Sequence, residues 1–142
     1  MGMSMPAWYD IKTLDRKNFE LGDDAIESGK TICKLIDEYD ANVVGGFSMG
    51  GAMSLLCAYN LCERKLDGVV GLSSYALPFE KKRELPTFLY HGLHDPMVPY
   101  ALASESYEQV LGIKDIPAEK NLDHSVSPTE MDELTKFLEE LN

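Results

Sequence analysis

The sequence predicts an α/β fold: a mostly parallel sheet flanked by helices. Two short apolar runs, residues 43–47 and 68–74, lack the polar alternation of a strand with one wet face, so both of their faces are expected to be covered. Segments with apolar residues at helical spacing stand between the strand candidates, and such alternation favours crossover units and parallel pairing. At 142 residues the chain is long enough for one hydrophobic core, and a single domain over residues 1–142 is expected.

Residues 1–11 hold Met1, Met3, Met5, Pro6, Trp8 and Tyr9 with no period, and read as a loop that covers one edge of the core. A second reading makes Met5 and Trp8 part of an apolar substrate surface, since Met and Trp suit flexible acyl groups. After a polar connection, residues 24–39 read as a helix. Asp24 and Glu27 have capping-box spacing, and Ile26, Cys33, Ile36 and Tyr39 form the inward stripe with Ile32 and Leu35 beside it. Strand 42–47 follows, then a helix over 49–61 with Met53, Leu56, Cys57 and Leu61 inward. Gly50 and Gly51 in its first turn are expected to permit close packing on the strand.

The run 68–74 is the second strand, and a polar stretch at 78–84 leads to a third at 86–91. A turn at 92–96 closes that strand, and a helix over 100–111 follows with Leu102, Tyr107, Val110 and Leu111 as core positions. Residues 116–121 form a weaker strand, placed at an edge because Pro117 has no ladder donor. The last helix carries the clearest local signals: Ser127 as N-cap, Pro128 at N1 and Glu130 at N3, then Met131, Leu134, Leu138 and Leu141 at helical spacing.

Composition narrows the function. Thirteen basic side chains face 24 acidic ones, a formal charge of −11, which disfavours nucleic acid and charge-driven docking on anionic membranes. No apolar run reaches the length of a membrane span, and the N-terminus shows no basic-then-apolar leader. The cysteines, Cys33, Cys57 and Cys62, are odd in number and form no CxxC pair. Cys33 and Cys57 fall in apolar helical patterns, so buried free thiols and a cytoplasmic location are expected. No metal-ligand spacing and no Walker loop is evident, so neither metal nor cofactor is expected.

The chemistry centres on residues 43–51. Gly46-Phe47-Ser48-Met49-Gly50 follows a strand and opens a helix, which is the pattern of a nucleophile elbow. The backbone folds back on itself there, so small residues are expected two positions either side of the serine. A serine hydroxyl needs a base, and the base needs a group that holds its tautomer. Where elbows occur, the chain order is nucleophile, acid, histidine. His124 meets that order, lying in a loop between a strand and a capped helix. Asp95 follows the C-terminal end of a strand, where α/β sheets place their ligand chemistry. His91 and His94 read as braces for the acid's loop, and Asp123 is too close to His124 to orient its ring. The Met49 N–H, in the helix's first turn, is the expected oxyanion donor.

These residues, with Met5-Pro6-Ala7-Trp8-Tyr9-Asp10, residues 68–74, His91-Gly92-x-x-Asp95-Pro96-x-Val98-Pro99, His124-Ser125 and Glu130-Met131, resemble the phospholipase/carboxylesterase family of α/β hydrolases, which includes acyl-protein thioesterases and lysophospholipase-like proteins. The resemblance implies an α/β-hydrolase-like sheet and a cofactor-free hydrolase of carboxylic esters and thioesters. Its substrates would be small-molecule or lipid-acyl esters and thioesters, and acylated proteins. Ser48 matches the nucleophile, Asp95 the acid and His124 the base; Met49 stands where many relatives have Gln. Met1 falls where relatives are already well into the chain, so the first strands and the loop bearing a second oxyanion donor are expected to be missing. Strand 43–47 would then be an exposed apolar edge, prone to self-association. The alternative is a catalytically weak remnant that acts as a binding module, or a fragment of a longer protein.

Overall fold

The computed structural model describes residues 21–141. Four parallel strands, β1 (Val43–Phe47), β2 (Gly68–Leu72), β3 (Thr87–Gly92) and β4 (Ala118–Glu119), lie in the order β1-β2-β3-β4. Helices α1 (Asp23–Glu38), α2 (Met49–Leu56), α3 (Tyr100–Leu111) and α4 (Pro128–Glu140) cover the sheet: α1 precedes β1, α2 lies between β1 and β2, α3 lies between β3 and β4, and α4 follows β4, while β2 runs to β3 through an irregular stretch. The α/β class and the parallel sheet are as expected. Chain order equals spatial order, so each strand is followed by a crossover to its neighbour.

β2 is buried along its whole length, which is why residues 68–72 need no polar alternation. Among the described residues β1 pairs on one side only, with β2, and is half-buried to exposed. It is the edge strand that the resemblance implied, not the fully covered strand that its apolar run suggested. β4, at the other edge, is two residues long, and the Pro117 carbonyl accepts from the His91 N–H at 3.1 Å.

The main core lies between the sheet and α1, α2 and α3. Residues 51–56 of α2 are buried all round, as an apolar helix enclosed by its neighbours must be. Met53, Leu55 and Leu56 are fully enclosed, and each contributes about 1.5–3 kcal/mol of transfer free energy. On the other face Leu134 and Phe137 of α4 pack on Val70, Leu72, Phe88, Tyr90 and Leu122.

Two helix faces differ from the expected ones. α1 buries Ala25, Gly29 and Ile36, while Leu35 and Tyr39 are exposed. A Cβ at Gly29 would come within 2.3 Å of Leu61 Cδ1, so small residues set this contact where large ones were expected. α1 also begins after Gly22 with no side-chain cap; Asp24 accepts instead from the adjacent Ala25 N–H. In α4, Met131 and Leu138 are exposed, and the packed line runs through Glu130, Leu134 and Phe137. Its capping box is as expected, with Ser127 and Glu130 each bonded to the other's backbone N–H.

The cysteines also depart from expectation. Cys33 in α1 is disulfide-bonded to Cys62 instead of being a free thiol, whereas Cys57 is the buried free thiol expected of it. The helix beginning at Met49 widens at its end into a π-helical turn, Cys57–Leu61, where the Cys62 N–H donates to the Cys57 carbonyl at 2.9 Å. That widening turns Cys62 toward α1, a placement that α-helical spacing does not foresee. The cytoplasmic expectation rested partly on free thiols and loses that support.

Candidate active site

β1 ends at Phe47 and α2 begins at Met49, so the strand-to-helix turn is made at Ser48 alone. Its backbone has φ 56° and ψ −121°, a conformation that costs a non-glycine residue about 1–3 kcal/mol. Hydrogen bonds on both sides hold it there. The Ser48 N–H donates to the Leu72 carbonyl at 2.8 Å, and the Ser48 carbonyl accepts from Gly51 N–H, Ala52 N–H and Ser74 Oγ at 3.0, 3.1 and 2.7 Å.

The steric requirement falls on two glycines. A Cβ at Gly46 would lie 2.4 Å from the Gly50 carbonyl carbon, and one at Gly51 would lie 2.6 Å from Ser74 Oγ and 2.9 Å from the Gly46 oxygen. Gly50, expected to be small for the same reason, has nothing among the described residues within 4 Å of its Cβ position.

Three separate segments meet at the serine. His124 Nε2 lies 3.0 Å from Ser48 Oγ, and His124 Nδ1 lies 2.6 Å from Asp95 Oδ2. A carboxylate only accepts, so the proton on this side belongs to Nδ1, and the bare Nε2 accepts from the serine hydroxyl. The His124 ring also leans on Phe47, with centroids 4.7 Å apart.

Asp95 is held tightly. Its Oδ1 accepts from the Met97 and Val98 N–H groups, both at 2.8 Å, and its side chain is fully buried. The loop that carries it is braced from below by His91, whose Nε2–H donates to the Val98 carbonyl at 2.7 Å. His91 Nε2 is also 3.5 Å from Asp95 Oδ2. Burial pushes the His91 pKa down, so the ring is neutral and this approach is not an ion pair. Its Nδ1 has no hydrogen-bond partner among the described residues. The bracing role expected of His91 is thus seen, whereas the His94 side chain is exposed and only its backbone N–H holds, to Leu122 O at 2.9 Å.

The loop carrying His124 crosses close over Gly92, where a Cβ would lie 2.3 Å from the Leu122 oxygen. Below that loop Glu119 accepts from Ser127 Oγ at 2.6 Å and from Tyr90 OH at 2.7 Å. These two hydroxyls hold the Glu119 carboxyl below its ordinary range. Sequence reasoning passed over Ser74, Phe47 and this Glu119 junction. Each acts through contacts with residues distant in the chain, which leave no local motif.

Exposed apolar side chains stand close in sequence to all three residues, beside the exposed polar His94, Asp123 and Ser125. Phe47, Leu93, Met97 and Val126, exposed by 40, 42, 60 and 40%, each lie within two residues of Ser48, Asp95 or His124. Met49 N–H sits at the first position of α2, where the helix has no acceptor for it. The expected substrate contacts Met5 and Trp8 lie outside the described residues.

The model of the phospholipase/carboxylesterase family matches residues 1–142. The chain belongs to that family. Acyl-protein thioesterase 1 of Gibberella zeae is 37% identical over 169 residues, a stretch covering 97% of this chain and 69% of that protein. Acyl-protein thioesterase 1 homolog 1 of Dictyostelium discoideum is 34% identical, over 96% of this chain and 68% of its own length. Among solved structures, SOBER1 of Arabidopsis thaliana superposes with a TM-score of 0.83 at 22% identity, covering 99% of this chain and 76% of that one. Zea mays acyl-protein thioesterase 2 gives 0.80 at 23% identity, with 95% and 72% covered. The structural likeness fixes the fold as that of the α/β hydrolases, and these sequence relatives are named acyl-protein thioesterases. No helix of the described residues is long and apolar enough to cross a membrane.

Proposed function

We propose that this phospholipase/carboxylesterase family member is a serine hydrolase that cleaves carboxylic esters or thioesters through an acyl-serine intermediate. The observation that carries the reading is the unbroken hydrogen-bonded line Ser48 Oγ, His124 Nε2, His124 Nδ1, Asp95 Oδ2, built on a serine held at positive φ. In this reading His124 takes the Ser48 proton as Oγ attacks the acyl carbonyl, and Asp95 stabilises the imidazolium that forms. The Met49 N–H, aided by the α2 N-terminus, meets the negative charge that develops on the carbonyl oxygen. His124 then protonates the leaving alcohol or thiol, and water attacks the acyl-serine by the reverse path. No step needs a cofactor.

The apolar side chains around the triad suit a small-molecule or lipid-acyl ester or thioester, and relatives named acyl-protein thioesterases support acylated proteins as substrates. The β1 edge, unpaired among the described residues, supports self-association of the isolated chain, and residues 1–142 act as a single domain in this reading. The test is hydrolysis of a long-acyl thioester and its oxyester by wild type, Ser48→Ala and Asp95→Asn. We expect measurable turnover by wild type, a fall of about 10⁴–10⁶ in kcat for Ser48→Ala, and about 10⁴ for Asp95→Asn. A folded wild type that turns over neither substrate would favour a binding module instead.

A further inference from the structure

The three cysteines form a cluster that the proposed hydrolysis does not use. Their sulfur atoms all lie within 4.8 Å of one another, although Cys33 is on α1 and Cys57 and Cys62 stand at the two ends of the π-helical turn. On an α-helix, residues five apart point about 140° away from each other. The widened turn, closed by the bond from Cys62 N–H to Cys57 O, brings both onto the side that faces α1. π-Helical turns of this kind occur frequently at functional sites. Gly29 completes the cluster: without a Cβ it admits α1 closely enough for its carbonyl to accept from the Cys57 thiol at 3.4 Å.

We propose that, with the Cys33–Cys62 bond reduced, the three sulfurs form a trigonal site for a trivalent thiophilic metalloid of the arsenous acid class. Size fits: the lone pair of trivalent arsenic makes its three bonds pyramidal, so bonds of about 2.3 Å, the length of a Zn–S bond, space the sulfurs by roughly 3.5 Å, inside the 4.8 Å within which the three already lie. Charge selects among thiophilic ions. Cys57 and Cys62 are buried, and Met53 and Leu61 pack at the same contact with Gly29, so a net charge left there would be poorly solvated. Three thiolates leave a univalent ion with two negative charges and a divalent ion with one, but a trivalent ion with none. The half-buried Cys33 gives the route of entry.

The chemistry balances without further redox. A phosphine reductant takes oxygen from one water to become its oxide, and the disulfide gains the two hydrogens as thiols. Arsenous acid then exchanges its three As–OH bonds for three As–S bonds, the three thiol protons leaving in three waters.

The experiment titrates arsenite into the 142-residue chain after reduction with a phosphine and desalting, and into the oxidised chain. Native mass spectrometry counts arsenic, and alkylation counts free thiols. We expect one arsenic per reduced chain with all three cysteines protected, and none on the oxidised chain. Cys57→Ala should weaken binding at least tenfold. Binding by Cys57→Ala as tight as wild type, equal binding by oxidised protein, or tighter binding of Zn²⁺ than of arsenite would overturn the proposal. X-ray absorption on the wild-type adduct keeps the test decisive should the variant not fold: three As–S neighbours are expected, and two with one oxygen would contradict it.

Discussion

Ser48 shows how a single residue can carry both a cost and a purpose. Its positive φ is unfavourable, yet four hydrogen bonds to its backbone hold it, and the outcome is an Oγ presented to His124 at 3.0 Å. His91 works one layer below. It is fully buried, neutral, and bonded to Val98 O, with Asp95 and His124 facing it. Desolvation lowers its folded-state pKa below the value of the unfolded chain, about 6.5. The unfolded chain therefore binds the extra proton first, so the stabilisation is complete above about pH 6.5 and is lost as pH falls below it. Denaturant midpoints measured from pH 7.5 down to pH 5 should fall in wild type and fall less steeply in His91→Gln; parallel curves would remove His91 from this role.

Elements were legible where the signal was local. The Ser127-Pro128-x-Glu130 start of α4, the full length of α3 and the elbow between β1 and α2 all lie within a few residues of the side chains that specify them. Helix faces were less legible. α1 was expected to pack through its large residues, but Ala25 and Gly29 let it approach so closely that Tyr39 is left outside. The π-helical turn and the disulfide that depends on it are tertiary outcomes, and no spacing rule on Cys33, Cys57 and Cys62 foresees them. The elbow itself yields a paired prediction. Gly46→Ala forces a Cβ onto Gly50 backbone and should destabilise by about 1–3 kcal/mol or more. Gly50→Ala meets open space within a helix and should stabilise by about 0.5–1 kcal/mol. Thermal or urea unfolding of the two variants reads both signs, and equal losses would show that the turn was misjudged.

At the scale of the molecule, the order of strands places every proposed functional group at one end of the sheet. Ser48 follows β1, Asp95 follows β3 and His124 follows β4, each beyond the carboxyl end of its strand. That rule of parallel sheets is why order along the chain could pick out three residues, Ser48, Asp95 and His124, that the fold brings within hydrogen-bonding distance. The substrate side is different. Met5 and Trp8 lie outside the described residues, and the apolar side chains near the triad were not distinguishable from ordinary loop residues by pattern. The same view exposes a weakness in β1, whose outer edge has no partner among the described residues. Light scattering on the isolated chain should show dimers or larger species that Val43→Lys reduces, and a clean wild-type monomer would count against self-association through this edge.

In the proposed reading Ser48 is an activated nucleophile in the folded chain. A fluorophosphonate probe tests it most directly, because phosphonylation with loss of fluoride requires a serine whose proton can be removed. One label per chain is expected on the Ser48 peptide, absent in Ser48→Ala and much slower in Asp95→Asn. Folded wild-type protein that stays unlabelled, or is labelled on another residue, would contradict it.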